Sequence, residues 1–363
     1  MDQNLLERGF LPPDEPARSF SAGSALAVLD EIGRDLPSLL VQGDFRKFAR
    51  ELEIPPWPAD DLRDGFLPHL RLYYVRLGFL ASAYINQVSQ PKATLLPRNI
   101  AVPLCRACRL LQRPPILSYD GYALYNWKRF DPAGPIALGN IDTLQNFVHL
   151  YDEHWFILVH VEIEAIAAAI IAAIARARPA LDPADPAEIN RALRDMARAV
   201  WQQVAVLRRI PEHMDPALYY KTFRPYIRFF EGVVYEGVDE APLNFRGETG
   251  AQSSIVPLLV AFLKIPHLPS LLTNHLADMR QFMPAEHRCA IEDAESLPPL
   301  RHLAEKDAFN DLLEAVATFR EVHYGWAQEY IHSRVDDPRG TGGTPYMQWL
   351  RQLIDETRAY QIP

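Results

Sequence analysis

Residues 155–177 read WFILVHVEIEAIAAAIIAAIARA, the longest apolar stretch of the chain. The stretch is long enough to cross a membrane as a helix, but His160, Glu162 and Glu164 interrupt it. A charged side chain costs about 2.5 to 3.5 kcal/mol at the centre of a bilayer on insertion scales. The stretch therefore predicts the buried core helix of a soluble helical bundle, and it argues against a membrane partner.

Apolar residues spaced three and four apart dominate the rest of the chain, whereas alternating β-branched runs are scarce. We therefore predict an all-α fold. A segment rich in proline and glycine, DPAGPIALGN from Asp131 to Asn140, predicts a boundary between two lobes. The expected division is a small N-terminal lobe, residues 1–135, and a larger C-terminal lobe, residues 136–363. The expected helices cover about 24–52, 60–87, 99–111, 141–177, 186–209, 216–230, 251–263, 268–282, 306–332 and 345–358.

The overall charge and the cysteines limit the classes of partner and the compartment. Lys and Arg total 37 against 46 Asp and Glu, which gives a net charge of −9 and disfavours nucleic acid as a partner. Three cysteines, Cys105, Cys108 and Cys289, are too few for a disulfide framework and fit a reducing compartment. The first residues carry no basic segment followed by an apolar one, so no signal peptide is expected. These features predict a cytoplasmic protein.

A single histidine lies on the apolar face of the helix expected over residues 306–332. A buried imidazole needs a partner for its nitrogens, because an unsatisfied polar group in a core is costly. Hydrogen bonds within the core would provide one, and haem iron would provide another. GTGGT, residues 340–344, follows this helix; it lacks the lysine of a phosphate loop and predicts a mobile lid. The histidine is His323, and the apolar residues of its face are Phe309, Leu312, Val316, Phe319, Trp326 and Tyr330.

Three other stretches are candidates for a functional site. SYDGYALYNW, residues 118–127, crowds aromatic side chains around a glycine, as an aromatic packing corner would also do. Phe156 and His160 share one face of the apolar helix. Arg224 precedes Pro225, which predicts a helix break at the arginine. A guanidinium at such a break is suited to clamp a carboxylate, although a surface ion pair would place the same residue there.

Taken together, these stretches resemble the indoleamine 2,3-dioxygenase family, whose members are haem enzymes that open the indole ring of tryptophan. The resemblance spans most of the chain and rests on several long, ordered segments. They are residues 95–104, 114–127, 155–164, the neighbourhood of Arg224, 250–265, 278–288, His323 and 340–347.

The resemblance implies haem b as the cofactor and assigns residues to it. His323 matches the axial ligand of the iron, and Arg320 matches a cation near the porphyrin. The loop of Gly247, Glu248, Thr249 and Gly250 is expected to flank the distal edge of the haem.

The resemblance also implies the substrates, the product and the residues that bind the substrate. Its implied substrates are L-tryptophan or a related indole together with O₂, and its implied product is of the N-formylkynurenine type, as in the kynurenine pathway. Arg224 matches the arginine that holds the substrate carboxylate, and Phe156 matches the distal phenylalanine near the indole. Tyr119 lines the same pocket, and Thr341 matches the threonine of the lid.

The chain departs from mammalian members of the family at three positions. His160 replaces a distal serine and could hydrogen-bond the indole N–H or the bound oxygen. Tyr122 replaces a small pocket residue and should narrow the space beside the indole. Val260 replaces an aspartate on the proximal side. Two alternatives therefore stay open: oxygenation of another indole, including insertion of a single oxygen atom, and a non-catalytic haem or gas-binding protein.

Overall fold

The fold is known from a computed structural model, which describes residues 3–58, 66–88, 90–334 and 346–363. Helices dominate these ranges, so the predicted all-α class is confirmed. The α-helices are α1 (Gln3–Arg8), α2 (Val28–Val41), α3 (Phe45–Glu51), α4 (Leu67–Ile85), α5 (Arg98–Leu110), α6 (Tyr151–Ala177), α7 (Pro186–Leu207), α8 (Pro216–Leu218), α9 (Ile255–Leu263), α10 (Leu271–Met279), α11 (Ala285–Ser296), α12 (Lys306–Tyr330) and α13 (Tyr346–Ala359).

The long apolar helix α6 lies inside the protein. It packs along α7, which in turn packs along α12. The Gln203 side chain of α7 donates a hydrogen bond to the carbonyl oxygen of Ile163 at 2.9 Å. By length and composition α6 could cross a membrane, but 61% of its most apolar window is buried within the protein. We therefore interpret α6 as a helix of the protein core.

Two small β-sheets lie among the helices, and the sequence did not predict them. In the first, strand β4 (Phe230–Tyr235) pairs with the parallel β1 (Leu95–Leu96) and the antiparallel β5 (Asp239–Phe245). In the second, β2 (Trp127–Arg129) pairs with β3 (Ile141–Thr143), so the helix expected from residue 141 begins only at Tyr151. The β4–β5 hairpin ends just before Gly247, where the loop that was expected to flank the cofactor begins.

Two short π-helical turns lie in the connections between the regular elements. They cover Asp120–Leu124 and Tyr219–Phe223, and such turns occur frequently at functional sites. The second turn ends at Arg224, as predicted. Arg224 itself keeps right-handed helical angles (φ −52°, ψ −38°), so the expectation that proline pushes it out of the helical region is wrong. The helical turn stops because Pro225 has no N–H to continue it.

The buried residues form two clusters. One is built mostly from segments between residues 11 and 161, and the other from α6, α7, α9, α11 and α12. Leu138, Val148 and Phe156 pack against both clusters. Phe156 therefore lies where the two halves of the core meet, while the division into lobes at residue 135 stays a prediction.

Candidate functional site

One face of α6 carries a row of polar and aromatic side chains. Glu153, Phe156, His160 and Glu164 follow one another at intervals of three or four residues, so they project to the same side of the helix. The rings of Phe156 and His160 lie 4.6 Å apart, centroid to centroid. Both carboxyl groups are fully buried, whereas the two rings are only half-buried and keep accessible surface.

Tyrosines of the first π-helical turn and its preceding residue bind both carboxyl groups. Tyr119 donates a hydrogen bond to Glu164 Oε1 at 2.8 Å, and Tyr122 donates one to Glu153 Oε1 at 3.1 Å. The Tyr119 ring meets the edge of His160 at 5.8 Å, and the Tyr122 ring lies 6.2 Å from Phe156. The structure thus brings together the four residues that were expected to line the substrate pocket on this side.

The loop after β5 packs tightly against the chain that follows Arg224. A Cβ on Gly247 would lie 2.4 Å from the carbonyl oxygen of Ile227, so only glycine fits there. The backbone N–H of Glu248 donates to the same carbonyl at 3.0 Å. Gln252 then joins the loop to the tyrosine turn, because its side chain accepts from the backbone N–H of Tyr119 and donates to the Gly247 carbonyl.

His323 lies on α12 with its ring half-buried. A Cβ on Gly250 would lie 3.8 Å from His323 Nε2, so the glycine loop and the imidazole border the same space. Burial, together with the positive charge that His160 would carry, lowers the pKa of His323 to about 4. The imidazole is therefore neutral at physiological pH. Within the described ranges it forms no hydrogen bond, so the alternative of a hydrogen-bonded core histidine finds no support there.

The hydrogen bond of His160 fixes its tautomer. Nδ1 lies 2.7 Å from the carbonyl oxygen of Phe156, and a carbonyl oxygen can only accept. Nδ1 therefore carries the hydrogen. Burial lowers the pKa of His160, which keeps the ring neutral and leaves Nε2 as a hydrogen-bond acceptor.

Arg224 is buried, with 3% of its surface exposed, so the alternative of an exposed surface arginine is wrong. Its guanidinium lies 5.1 Å from the ring centroid of Tyr220. The turn that ends at Arg224 packs Tyr219 and Phe223 against Phe156, at 5.5 and 6.1 Å between centroids. Arg224 is thus anchored next to the aromatic side chains that surround Phe156.

Arg320 binds the C-terminal helix. Its guanidinium donates to the carbonyl oxygen of Leu353 at 2.9 Å and to the hydroxyl of Thr357, both on α13. Burial lowers the pKa of Arg320 to about 10, so it stays charged at neutral pH. The residue lies one turn before His323, and its contacts connect α12 to α13. The lid residue Thr341 lies outside the described residues.

The residues around His323 fit an axial haem ligand. The ring is neutral, keeps accessible surface and leaves its nitrogens without hydrogen bonds in the part of the chain that the structure describes. The neighbouring residue 250 is a glycine, whose missing side chain would otherwise begin to fill the space beside Nε2. A neutral imidazole nitrogen is the donor that haem iron takes from a protein.

Several residues of the site were not singled out from the sequence. Glu153 and Glu164 support the tyrosines, Ser253 donates to Glu164 at 2.6 Å, and Tyr219 and Phe223 pack on Phe156. The glutamates carried a signal, since they share the helical face of Phe156 and His160. The contributions of Ser253 and Tyr219 depend on tertiary packing and left no periodic pattern.

Three buried carboxyl groups make stability depend on pH. Burial raises the pKa of Glu153 and Glu164 to about 7 and that of Glu248 to about 8. In the unfolded chain a glutamate has a pKa of about 4.3, so above that pH the unfolded state binds fewer protons than the folded one. Their contribution to stability is thus complete below about pH 4 and is lost as the pH rises through 7 to 8.

We therefore expect the free energy of unfolding of the haem-free protein, measured in urea, to fall between about pH 5 and pH 8. Glu248→Gln should make this fall shallower, because a glutamine does not ionise. Glu292→Gln, on the exposed side of α11, is the control and should leave the slope unchanged. An equal slope in Glu248→Gln and the unsubstituted protein would contradict the assignment.

The chain is similar to known proteins over most of its length. The chain matches the family model described as indoleamine 2,3-dioxygenase over residues 5–338. It is 31% identical to rat indoleamine 2,3-dioxygenase 1, covering 90% of this chain and 87% of that protein. A Fusarium equiseti 6-hydroxytryptophan 2,3-dioxygenase is 25% identical, covering 90% and 83%, and a myoglobin of the abalone Haliotis madaka is 25% identical, covering 92% and 91%. The resemblance read from the sequence is confirmed, and the chain belongs to the indoleamine 2,3-dioxygenase family.

Proposed function

We propose that this protein is a haem-dependent dioxygenase that inserts both atoms of O₂ across the C2–C3 bond of L-tryptophan or a closely related indole. The observation that carries the proposal is the environment of His323: a neutral, half-buried imidazole without a hydrogen bond in the described ranges, bordered by Gly250. The expected product is of the N-formylkynurenine type, and the expected compartment is the cytoplasm.

His323 would hold haem b through Nε2, with the loop from Gly247 to Gly250 along its edge. A haem held by this imidazole would supply the binding and activation of O₂. Arg320 would hold α12 in place through α13 and place a positive charge one turn from the ligand. The side chains of the protein would bind and orient the substrate.

Arg224 would bind the substrate carboxylate. A buried guanidinium is a strong, two-pronged partner for a carboxylate, because water competes little for its donors. Its position at the end of the Tyr219–Phe223 turn sets its distance from Phe156, against which the indole would pack. Holding reacting groups in a fixed orientation can lower a barrier by several kcal/mol, on the order of 7 in well-oriented model systems.

The aromatic side chains around α6 would form an apolar pocket for the indole. Phe156 and Tyr119 would contact its ring, and Thr341 would close over it. Tyr122 is held in place by Glu153 and by stacking on Phe79 at 5.7 Å, so its ring cannot easily turn away. We therefore expect Tyr122 to restrict substituents on the indole.

His160 would accept the indole N–H. Because Nδ1–H is used by the Phe156 carbonyl, the neutral ring offers only the lone pair of Nε2. An indole nitrogen can donate to this lone pair. A ligand that itself only accepts, such as bound oxygen, finds no donor on the neutral ring, so the tautomer favours the first of the two roles considered from the sequence.

Non-catalytic oxygen binding is the second candidate, because one relative of the chain is a protein named myoglobin. Against it, buried Arg224 and the acceptor nitrogen of His160 would have no use in a site that holds oxygen alone. The monooxygenase alternative differs only in the number of oxygen atoms transferred.

Turnover with ¹⁸O₂ separates these functions. The haem-loaded, reduced protein is mixed with L-tryptophan and labelled oxygen, and the product is analysed by mass spectrometry. A product that carries two heavy oxygen atoms is expected. One heavy atom would indicate a monooxygenase, and an oxygenated haem spectrum without any product would indicate an oxygen-binding protein.

Replacing His160 tests its role as an acceptor. His160→Ala should lower kcat/KM for L-tryptophan about three- to tenfold, the value of one hydrogen bond of about 0.5 to 1.5 kcal/mol. The benzothiophene analogue of tryptophan has sulfur in place of N–H, so its kcat/KM should change less than about twofold by the same argument. Equal losses for both substrates would show that His160 does not read the indole N–H.

A further inference from the structure

The carboxyl group of Glu164 joins three segments of the site. Tyr119, immediately before the first π-helical turn, donates to Oε1 at 2.8 Å, and Ser253, just after the glycine loop, donates to the same oxygen at 2.6 Å. Glu164 itself lies on α6, one helical turn after His160, and is fully buried. No other group in the described part of the chain holds both hydroxyls.

We propose that Glu164 is a positioning residue for the indole pocket, acting through Tyr119 and Ser253. The inference rests on the function proposed above. Tyr119 meets His160 edge to face at 5.8 Å, so its position sets one wall of the pocket. Ser253 is three residues from Gly250, which borders His323 Nε2. One carboxyl group thereby fixes the distance between the tyrosine wall and the loop beside the axial ligand.

The hydrogen bonds of Glu164 occupy only one of its two carboxyl oxygens. Both hydroxyls donate to Oε1, whereas Oε2 has no partner among the described residues. Oε2 is therefore the place for a proton, and a neutral carboxyl keeps Oε1 free to accept from both hydroxyls. Burial raises the pKa of Glu164 to about 7, although the two hydrogen bonds oppose the rise.

The side chains in contact with Glu164 are neutral near pH 7, so burial is the main influence on its pKa. Tyr119 has a pKa raised well above 10, and the pKa of His160 is lowered, so both stay neutral near pH 7. In the chain between α1 and α2, the Phe10 N–H donates to the carbonyl oxygen of Glu164 at 3.4 Å. No charged side chain of the elements described around it shifts its pKa.

Substrate binding should therefore be linked to the proton on Glu164. An apolar indole seated against Tyr119 and His160 removes water and penalises a nearby buried anion. The substrate should bind more tightly when Glu164 is neutral, and the two binding events must favour each other equally. A coupling of about fivefold or more is the usual range for linked sites.

The test uses the ferric holoenzyme and follows L-tryptophan binding by the change in the haem spectrum between about pH 5.5 and pH 9, a range that brackets the ionisation of a raised carboxyl. In the unsubstituted protein, Kd should rise about fivefold or more as Glu164 ionises. Glu164→Gln keeps an oxygen acceptor for both hydroxyls and should have a clearly shallower profile, with the remaining slope due to Glu153 and Glu248, whose pKa values of about 7 and about 8 lie in the same range. Glu162→Gln is the matched control, since Glu162 is two residues away, accepts from Leu138 N–H and lies outside the pocket.

Ser253→Ala offers a second variant should Glu164→Gln fail to fold. It removes a hydrogen bond that stabilises the ionised carboxylate, so the midpoint of the Kd profile should move to higher pH. A profile in Glu164→Gln like that of the unsubstituted protein, or an unmoved midpoint in Ser253→Ala, would overturn the proposed role of Glu164. Neither result would contradict the proposed function. If the unsubstituted holoenzyme shows no spectral response to L-tryptophan, the proposed function falls and the inference falls with it.

Discussion

The site depends on an imidazole nitrogen that the protein itself leaves without a hydrogen bond in the ranges described. A buried polar group is costly when no partner satisfies it, and the helix that carries His323 is otherwise apolar on that face. Two features of the surrounding fold keep this nitrogen accessible and unprotonated. Gly250 keeps the adjacent space free of a side chain, and burial keeps the ring neutral so that its lone pair is available.

The second element on which the site depends is α6. It is buried because of its apolar length, yet it places two carboxyl groups and two rings on one face. Each carboxyl holds a tyrosine, at 2.8 Å for Tyr119 and 3.1 Å for Tyr122, so the walls of the pocket are tied to the core of the protein. The proposed substrate pocket and the hydrophobic core therefore share one helix, and Phe156 contacts both halves of that core.

Much of this could be predicted from local pattern, and the rest depended on contacts between distant segments. The period of the apolar residues predicted α6, α7 and α12, and the apolar face of α12 singled out His323. The same period could not distinguish Glu164, a buried hydrogen-bonded carboxyl, from half-buried Glu162, because a glutamate looks the same in both settings. The β4–β5 hairpin was missed because its outer strand β5 is polar and exposed and depends on pairing with β4, which in turn pairs with the distant β1.

The central claim is the coordination of haem iron by His323, and spectroscopy of one variant tests it most directly. His323→Gly should purify with little haem and a weak Soret band, because the haem would lack its proposed protein ligand. Added imidazole should occupy the vacated space and restore the band towards that of the unsubstituted holoenzyme. A variant that keeps a full and unaltered Soret band without imidazole would contradict the account.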